Sequence, residues 1–155
     1  MIAEADGVNR RLIGALLRVP YQEGVRFVHR GLSEAGYADL RPAHMTVFQH
    51  INEAAGSRLT ALADSAQMTK QSMAYLVEHL EKRGYVQRVR DPADGRARLI
   101  VLTERGKGVM AAGRTLVRAV EDEWAARYLS KRDMKQLRQL LKQLVAGLDG
   151  TRPRG

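Results

Sequence analysis

Residues 69–86 read TKQSMAYLVEHLEKRGYV and residues 87–103 read QRVRDPADGRARLIVLT. The fold turns on how this stretch is read. In its first part Met73, Leu76, Val77 and Leu80 fall at i, i+3, i+4 and i+7, one face of an amphipathic helix. Thr69 is the expected N-cap, because its hydroxyl can satisfy a free amide of the first turn. Gly84 is the expected stop, because it tolerates the left-handed conformation past a helix end. Roughly opposite the apolar stripe lie Gln71, Ala74, Tyr75, Glu78 and Lys82, side chains with little need of burial.

The second part predicts a β-hairpin. Val86–Arg90 and Ala97–Leu102 are short runs rich in β-branched residues, and Asp91-Pro92 and Asp94-Gly95 between them are turn signals. Arg88, Arg90, Arg96 and Arg98 decorate this ribbon. A helix with a polar outer face followed by an arginine-rich hairpin suits a DNA duplex. The helix fits the major groove, and the hairpin reaches phosphates or the narrow minor groove.

A chain of 155 residues is most simply one domain with a sizeable core. Lys and Arg outnumber Asp and Glu by 26 to 17, a net charge of +9, which favours a polyanionic partner. The charge does not single out the hairpin: seven basic and four acidic residues lie in 69–103, against twelve and six in 104–155. A merely solvated basic surface remains the alternative. The absence of cysteine excludes disulfides, thiolate metal sites and thiol redox switching. With no long apolar run and no signal-peptide pattern at the N-terminus, a cytoplasmic protein without a membrane partner is expected.

In chain order, residues 1–8 are expected to fray, and a helix is expected from about Asn9 to Ala35. Pro20 should kink or restart it, and Gly36 should stop it. Pro42 suits the first turn of a second helix running to about Ala54, with Val47, Phe48 and Ile51 inward, before Gly56. Ser57 is the expected cap of a short third helix carrying Leu59, Leu62 and Ala63. Two short helices, the second with a polar face, make a helix-turn-helix. After the hairpin, Thr103 should cap a long helix to about Tyr128. Ser130 and Asp133 resemble a capping box for a last helix with Met134, Leu137, Leu140, Leu141, Leu144, Val145 and Leu148 on one broad face. Residues 149–155 are expected to form a flexible basic tail.

This order of elements resembles the MarR family of winged helix-turn-helix regulators. The resemblance rests on Leu59-x-x-Leu62-Ala63, on Leu76-Val77-x-x-Leu80-Glu81-Lys82-Arg83-Gly84-Tyr85-Val86, and on Asp91-Pro92-x-Asp94-x-Arg96 followed by Leu102-Thr103-x-x-Gly106. It implies a mainly α (α+β) fold over residues 10–148. The winged helix would occupy about 40–103 with a two- or three-stranded wing sheet, and long dimerisation helices would occupy about 9–35 and 104–148. It further implies a homodimer, a palindromic double-stranded operator and a transcriptional outcome, most often repression. Relief by a small aromatic or anionic effector is implied too, in a crevice where Tyr37, His44, Phe48 and Met110 are candidates; core packing explains those four equally well. By the family pattern Arg96 is the minor-groove arginine and Asp94 holds it. Pro20 is unusual for the family, and the lack of cysteine removes its peroxide-sensing branch.

The candidate DNA-binding set is Arg58, Thr69, Lys70, Gln71, Ser72, Ala74, Tyr75, Arg88, Arg90, Asp94, Arg96 and Arg98. Gln71 can bond adenine bidentately, and Tyr75 can reach a phosphate or a thymine methyl. Their alternative is an ordinary solvated helix face. Glu78 and Lys82 form an i,i+4 pair and need no DNA to explain them. Arg88, Arg90 and Arg98 either bind phosphates or lie along the sheet. His29, His44, His50 and His79 make no compact metal pattern, and no cofactor is expected. No nucleophile elbow, phosphate loop or dinucleotide fingerprint supports an enzyme. Two rival readings remain: a winged-helix DNA binder without effector response, and a protein-interaction module that binds no DNA.

Overall fold

The computed structural model describes residues 12–151. The expected frayed segment 1–8, the helix start at Asn9 and the tail beyond Thr151 lie outside them. The elements are α1 (Ile13–Leu32), a π-type turn (Ser33–Tyr37), a 3-10 turn (Pro42–His44) leading into α2 (Met45–His50), α3 (Leu59–Ser65), α4 (Lys70–Lys82), β1 (Val86–Asp91), β2 (Asp94–Leu102), α5 (Glu104–Arg127) and α6 (Lys131–Thr151). The contacts form two compact units, one ending at Leu116 and one beginning at Val117.

The first unit is a winged helix, mainly helical with one small antiparallel ribbon, as the sequence implied. Its core is built by Leu32, Leu40, Val47, Phe48, Leu62, Met73, Val77, Leu80, Tyr85, Val86, Ile100 and Val109, all buried. The stripe Met73, Leu76, Val77 and Leu80 faces inward as its 3.6-residue period requires. In the ribbon, Val86 pairs with Leu102 and Arg90 with Arg98, and the register then jumps so that Asp91 pairs with Asp94. Ser57 adds a one-residue third strand. Its N–H donates to the Ile100 carbonyl at 2.9 Å and its carbonyl accepts from the Ile100 N–H at 2.8 Å. Gly56 makes that approach possible, since a Cβ there would stand 2.6 Å from Val101 Cγ1 and 2.9 Å from the Ile100 carbonyl oxygen.

Several boundaries differ from the sequence reading. Pro20 neither kinks α1 into two elements nor restarts it. The residue is exposed, so water can serve the Leu16 carbonyl that its missing N–H leaves free. Gly36 does end the helical path, at φ +100°. The second helix stops at His50 rather than Ala54. Ile51 is extended, and the Asn52 side chain accepts from the N–H groups of Ala54 and Ala55 at 3.0 and 2.8 Å, an Asx turn that competes with helix. Ser57 is not the cap of α3: Arg58 occupies that position without a side-chain cap bond, because Ser57 is committed to the sheet. β2 begins at Asp94, three residues before Ala97. The last helix continues through Thr151, so residues 149–151 are helix and not tail.

The expected caps on the long helices form. The Gly106 N–H donates to Thr103 Oγ1 at 3.2 Å, and the Asp133 N–H to Ser130 Oγ at 3.1 Å. Gly106 lies so close to the start of the ribbon that a Cβ would stand 2.1 Å from the Tyr85 carbonyl oxygen. In the second unit Arg138 pairs with Glu121 at 2.5 Å, while Leu140, Leu144, Val145 and Leu148 of α6 stay exposed. In the first unit Leu12, Ile13 and Leu16 are likewise exposed. Among the described residues no helix is long and apolar enough to cross a membrane.

Candidate nucleic-acid interface

The helix α4 is held at both ends by its own sequence. Thr69 Oγ1 accepts from the Ser72 N–H at 3.1 Å. At the other end Gly84 takes φ +76°. Its N–H donates to the Glu81 carbonyl, and the Tyr85 N–H donates back to the Leu80 carbonyl, the paired bonds of a Schellman stop. Lys70, Gln71, Ser72 and Tyr75 then line an exposed ridge. Tyr75 is 57% exposed although its ring lies 4.3 Å from that of His79. Ala74 is half-buried. Glu78 and Lys82 pair with each other at 2.6 Å, and that hydrogen bond holds the Glu78 carboxyl below its usual range. The structure thus favours the internal explanation for this pair.

The candidate arginines fall into two groups. Arg88 is tied to Glu81 at 2.6 Å, bracing β1 against the end of α4. Arg58 donates through Nε and Nη2 to Asp91 Oδ2 at 2.9 and 2.6 Å. Asp91 also accepts from the Ala93 N–H at 2.9 Å; that bond first, and Arg58 second, hold its carboxyl below the ordinary value. By contrast Arg90, Arg96 and Arg98 are exposed and, among the described residues, reach no carboxylate. Arg90 and Arg98 are direct cross-strand partners. Like charges placed so repel, and an anion near the ribbon would relieve them. Asp94 is where the wing reading puts it, but it grips the backbone: its Oδ1 accepts from the Arg96 N–H at 3.1 Å.

A second network escaped the sequence. The buried Tyr85 hydroxyl donates to Asp39 Oδ1 at 2.5 Å. Arg105 donates to the Arg83 carbonyl at 2.9 Å and to Asp39 at 3.2 Å, with its guanidinium 4.3 Å from the Tyr85 ring centre. Burial pushes the Asp39 carboxyl up, but the Tyr85 bond and the Arg105 charge outweigh it and hold the group low. The Tyr85 hydroxyl is raised to about 12, by burial first and by its bond to Asp39 second. The network fastens the end of α4 to the α1–α2 connection and to the start of α5. Its members lie too far apart in sequence for any local signal to join them. Of the four effector candidates, His44 and Phe48 are buried, Phe48 edge-on to Tyr85, while Tyr37 and Met110 are partly buried against the core. No group of three or more His, Asp or Glu among the described residues is placed to hold a metal ion.

A polar-ridged helix seated in a helix-turn-helix, with a basic wing beside it, defines a winged-helix DNA-binding protein. The chain belongs to the MarR family, whose model matches residues 38–97. It is 32% identical over 107 residues to the transcriptional regulator HosA of Escherichia coli O111:H-, covering 69% of this chain and 78% of HosA. Its fold matches the transcriptional repressor CouR bound to a 23-mer DNA duplex, with a TM-score of 0.71 and 21% identity over 90% of this chain and 96% of that one. It also matches CouR from Rhodococcus jostii RHA1 bound to p-coumaroyl-CoA, with a TM-score of 0.66 and 25% identity over 87% and 92%. The protein is a transcriptional regulator and not an enzyme.

Proposed function

We propose that the protein is a homodimeric, effector-released repressor that binds a palindromic operator in the cytoplasm. The observation carrying this is the exposed ridge Lys70, Gln71, Ser72 and Tyr75 beside a wing whose Arg90, Arg96 and Arg98 reach no carboxylate among the described residues. In this reading the ridge enters the major groove, where base edges distinguish all four pairs, and Arg96 enters the flanking minor groove. Thr69 and Ser72 sit at the helix N-terminus, where phosphate contacts fix register.

Dimerisation is supported by apolar side chains at both ends of the chain. Ile13 is 72% exposed and Leu16 50%; Leu140, Val145 and Leu148 are each more than half exposed. Each unit thus leaves large apolar side chains in water, and apolar surface left exposed in this way marks association. A two-fold pair sets its recognition helices about one DNA turn apart, roughly 34 Å, matching successive major grooves. An operator so covered is closed to other proteins, hence repression. The p-coumaroyl-CoA bound by CouR supports an aromatic, anionic effector.

Light scattering on the intact chain and on a version ending at Leu129, with titration of a palindromic duplex, tests the reading. The intact chain is expected to be a dimer. The shortened one is expected to be a monomer that has lost specific affinity. An intact monomer, or a shortened chain binding the palindrome at full affinity, would overturn it.

A further inference from the structure

We infer that Arg58 is not itself a DNA contact but a positioning residue that sets the wing tip and, through it, Arg96; this rests on the interface proposed above. The geometry is specific. Arg58 reaches Asp91 Oδ2 at 2.6 and 2.9 Å and lies 3.8 Å from Asp94 Oδ2. Each of these carboxylates uses its other oxygen to fix the turn. Asp91 Oδ1 takes the Ala93 N–H at 2.9 Å, and Asp94 Oδ1 takes the Arg96 N–H at 3.1 Å. One cation therefore bridges the two anions that shape the tip from both sides.

The placement needs this bridge. Asp91 and Asp94 are opposed across the hairpin where the register breaks, and like charges so placed push the strands apart. Asp91 is only 6% exposed, so water cannot replace a lost cation well. Arg58 follows Ser57, whose two backbone bonds to Ile100 pin the base of the wing. Backbone at the base and guanidinium at the tip thus hold the wing at two points. Arg96 hangs from the second.

A direct phosphate contact by Arg58 predicts the opposite behaviour in one variant. Asp91→Asn would free Arg58 and also remove a negative charge near the duplex, so a contacting Arg58 would bind DNA more tightly. A positioning Arg58 predicts that Asp91→Asn weakens binding, as does Arg58→Gln, by about 3- to 10-fold, a part of what Arg96 itself supplies. Arg58→Lys should recover only part of the affinity, since an ammonium lacks the Nε and Nη2 fork that grips Asp91 while Nη2 faces Asp94.

The experiment measures anisotropy of the duplex enriched from random-sequence DNA by the intact protein, across several salt concentrations. The variants are Arg58→Gln, Arg58→Lys, Asp91→Asn and Arg96→Ala, with Arg58→Gln and Asp91→Asn repeated in the Arg96→Ala background. Thermal melting reports whether each variant is folded. The expected result is a loss in both single variants that disappears once Arg96 is gone. Tighter binding by Asp91→Asn, or losses that add in full to that of Arg96→Ala, would overturn the positioning role while leaving the interface intact. An Arg96→Ala variant with unchanged affinity and salt dependence would remove the wing from the interface, and the positioning role with it.

Discussion

Replacing Tyr85 by Phe removes one oxygen from a buried position and leaves the ring, so it isolates a single hydrogen bond. That bond joins the Tyr85 hydroxyl to Asp39, and Tyr85 is fully buried. A hydrogen bond to a charged group contributes about 1.5–3 kcal/mol. Here the lower end applies, for two reasons. The Asp39 side chain is 36% exposed, and it keeps Arg105 at 3.2 Å, so water and a cation compensate in part. The ring contacts with Phe48 and Tyr37 survive. We therefore expect a loss of about 1.5 kcal/mol, lowering the melting temperature by roughly 3–6 °C for a chain of this size. The loss carries a pH signature. Asp39 is held below its ordinary value of 3.8. Its stabilisation is complete above that value and is lost as pH falls through the lower folded-state value. Urea titrations of parent and variant should differ equally at about pH 7 and pH 5, and the gap should close toward about pH 3. No difference at neutral pH would refute the network. So would a gap undiminished in acid.

Three further outcomes are expected. Gly106→Ala should destabilise by about 2–3 kcal/mol or more in urea titration, because the added Cβ meets the Tyr85 carbonyl oxygen, which cannot swing aside as a side chain can. His44 is buried, and burial followed by the charges of Arg83, His79 and Arg41 holds its pKa below 6.5. The unfolded state then binds the proton more readily, so stability should fall as pH drops below 6.5 until the folded-state value is passed, and His44→Gln should flatten that slope. Arg96→Ala should weaken specific duplex binding by roughly 1–3 kcal/mol and reduce the salt slope by about one counterion per half-site, read by anisotropy at several salt concentrations.

How much could be read from the chain beforehand depended on distance along it. The helix α4 was legible because its stripe, its Thr69 cap and its Gly84 stop are all local, and each formed as its residue type requires. The hairpin was legible for the same reason, from Asp-Pro and Asp-Gly between two β-branched runs. Boundaries failed where a side chain chose a distant or competing partner. Asn52 captured two amides and ended α2 early, and Ser57 joined Ile100 instead of capping α3. In the candidate site, the exposed ridge followed from helical period alone. What did not follow was which arginines are committed. Arg58 and Asp91 stand 33 positions apart, and Tyr85 and Asp39 stand 46 apart. Only folding brings the first pair together at the wing tip and the second beside the end of α4. Asp91 looked like a turn residue and is one, but its second oxygen serves Arg58.

In the proposed function α4 reads bases as one of a symmetric pair. Selection from random-sequence duplex DNA tests it most directly, run with the intact protein and with the Gln71→Ala, Tyr75→Ala double variant. The parent is expected to enrich an inverted repeat whose half-sites lie about one helical turn apart, and the double variant an altered half-site. Enrichment of no sequence by the parent, or of the same half-site by both proteins, would contradict it.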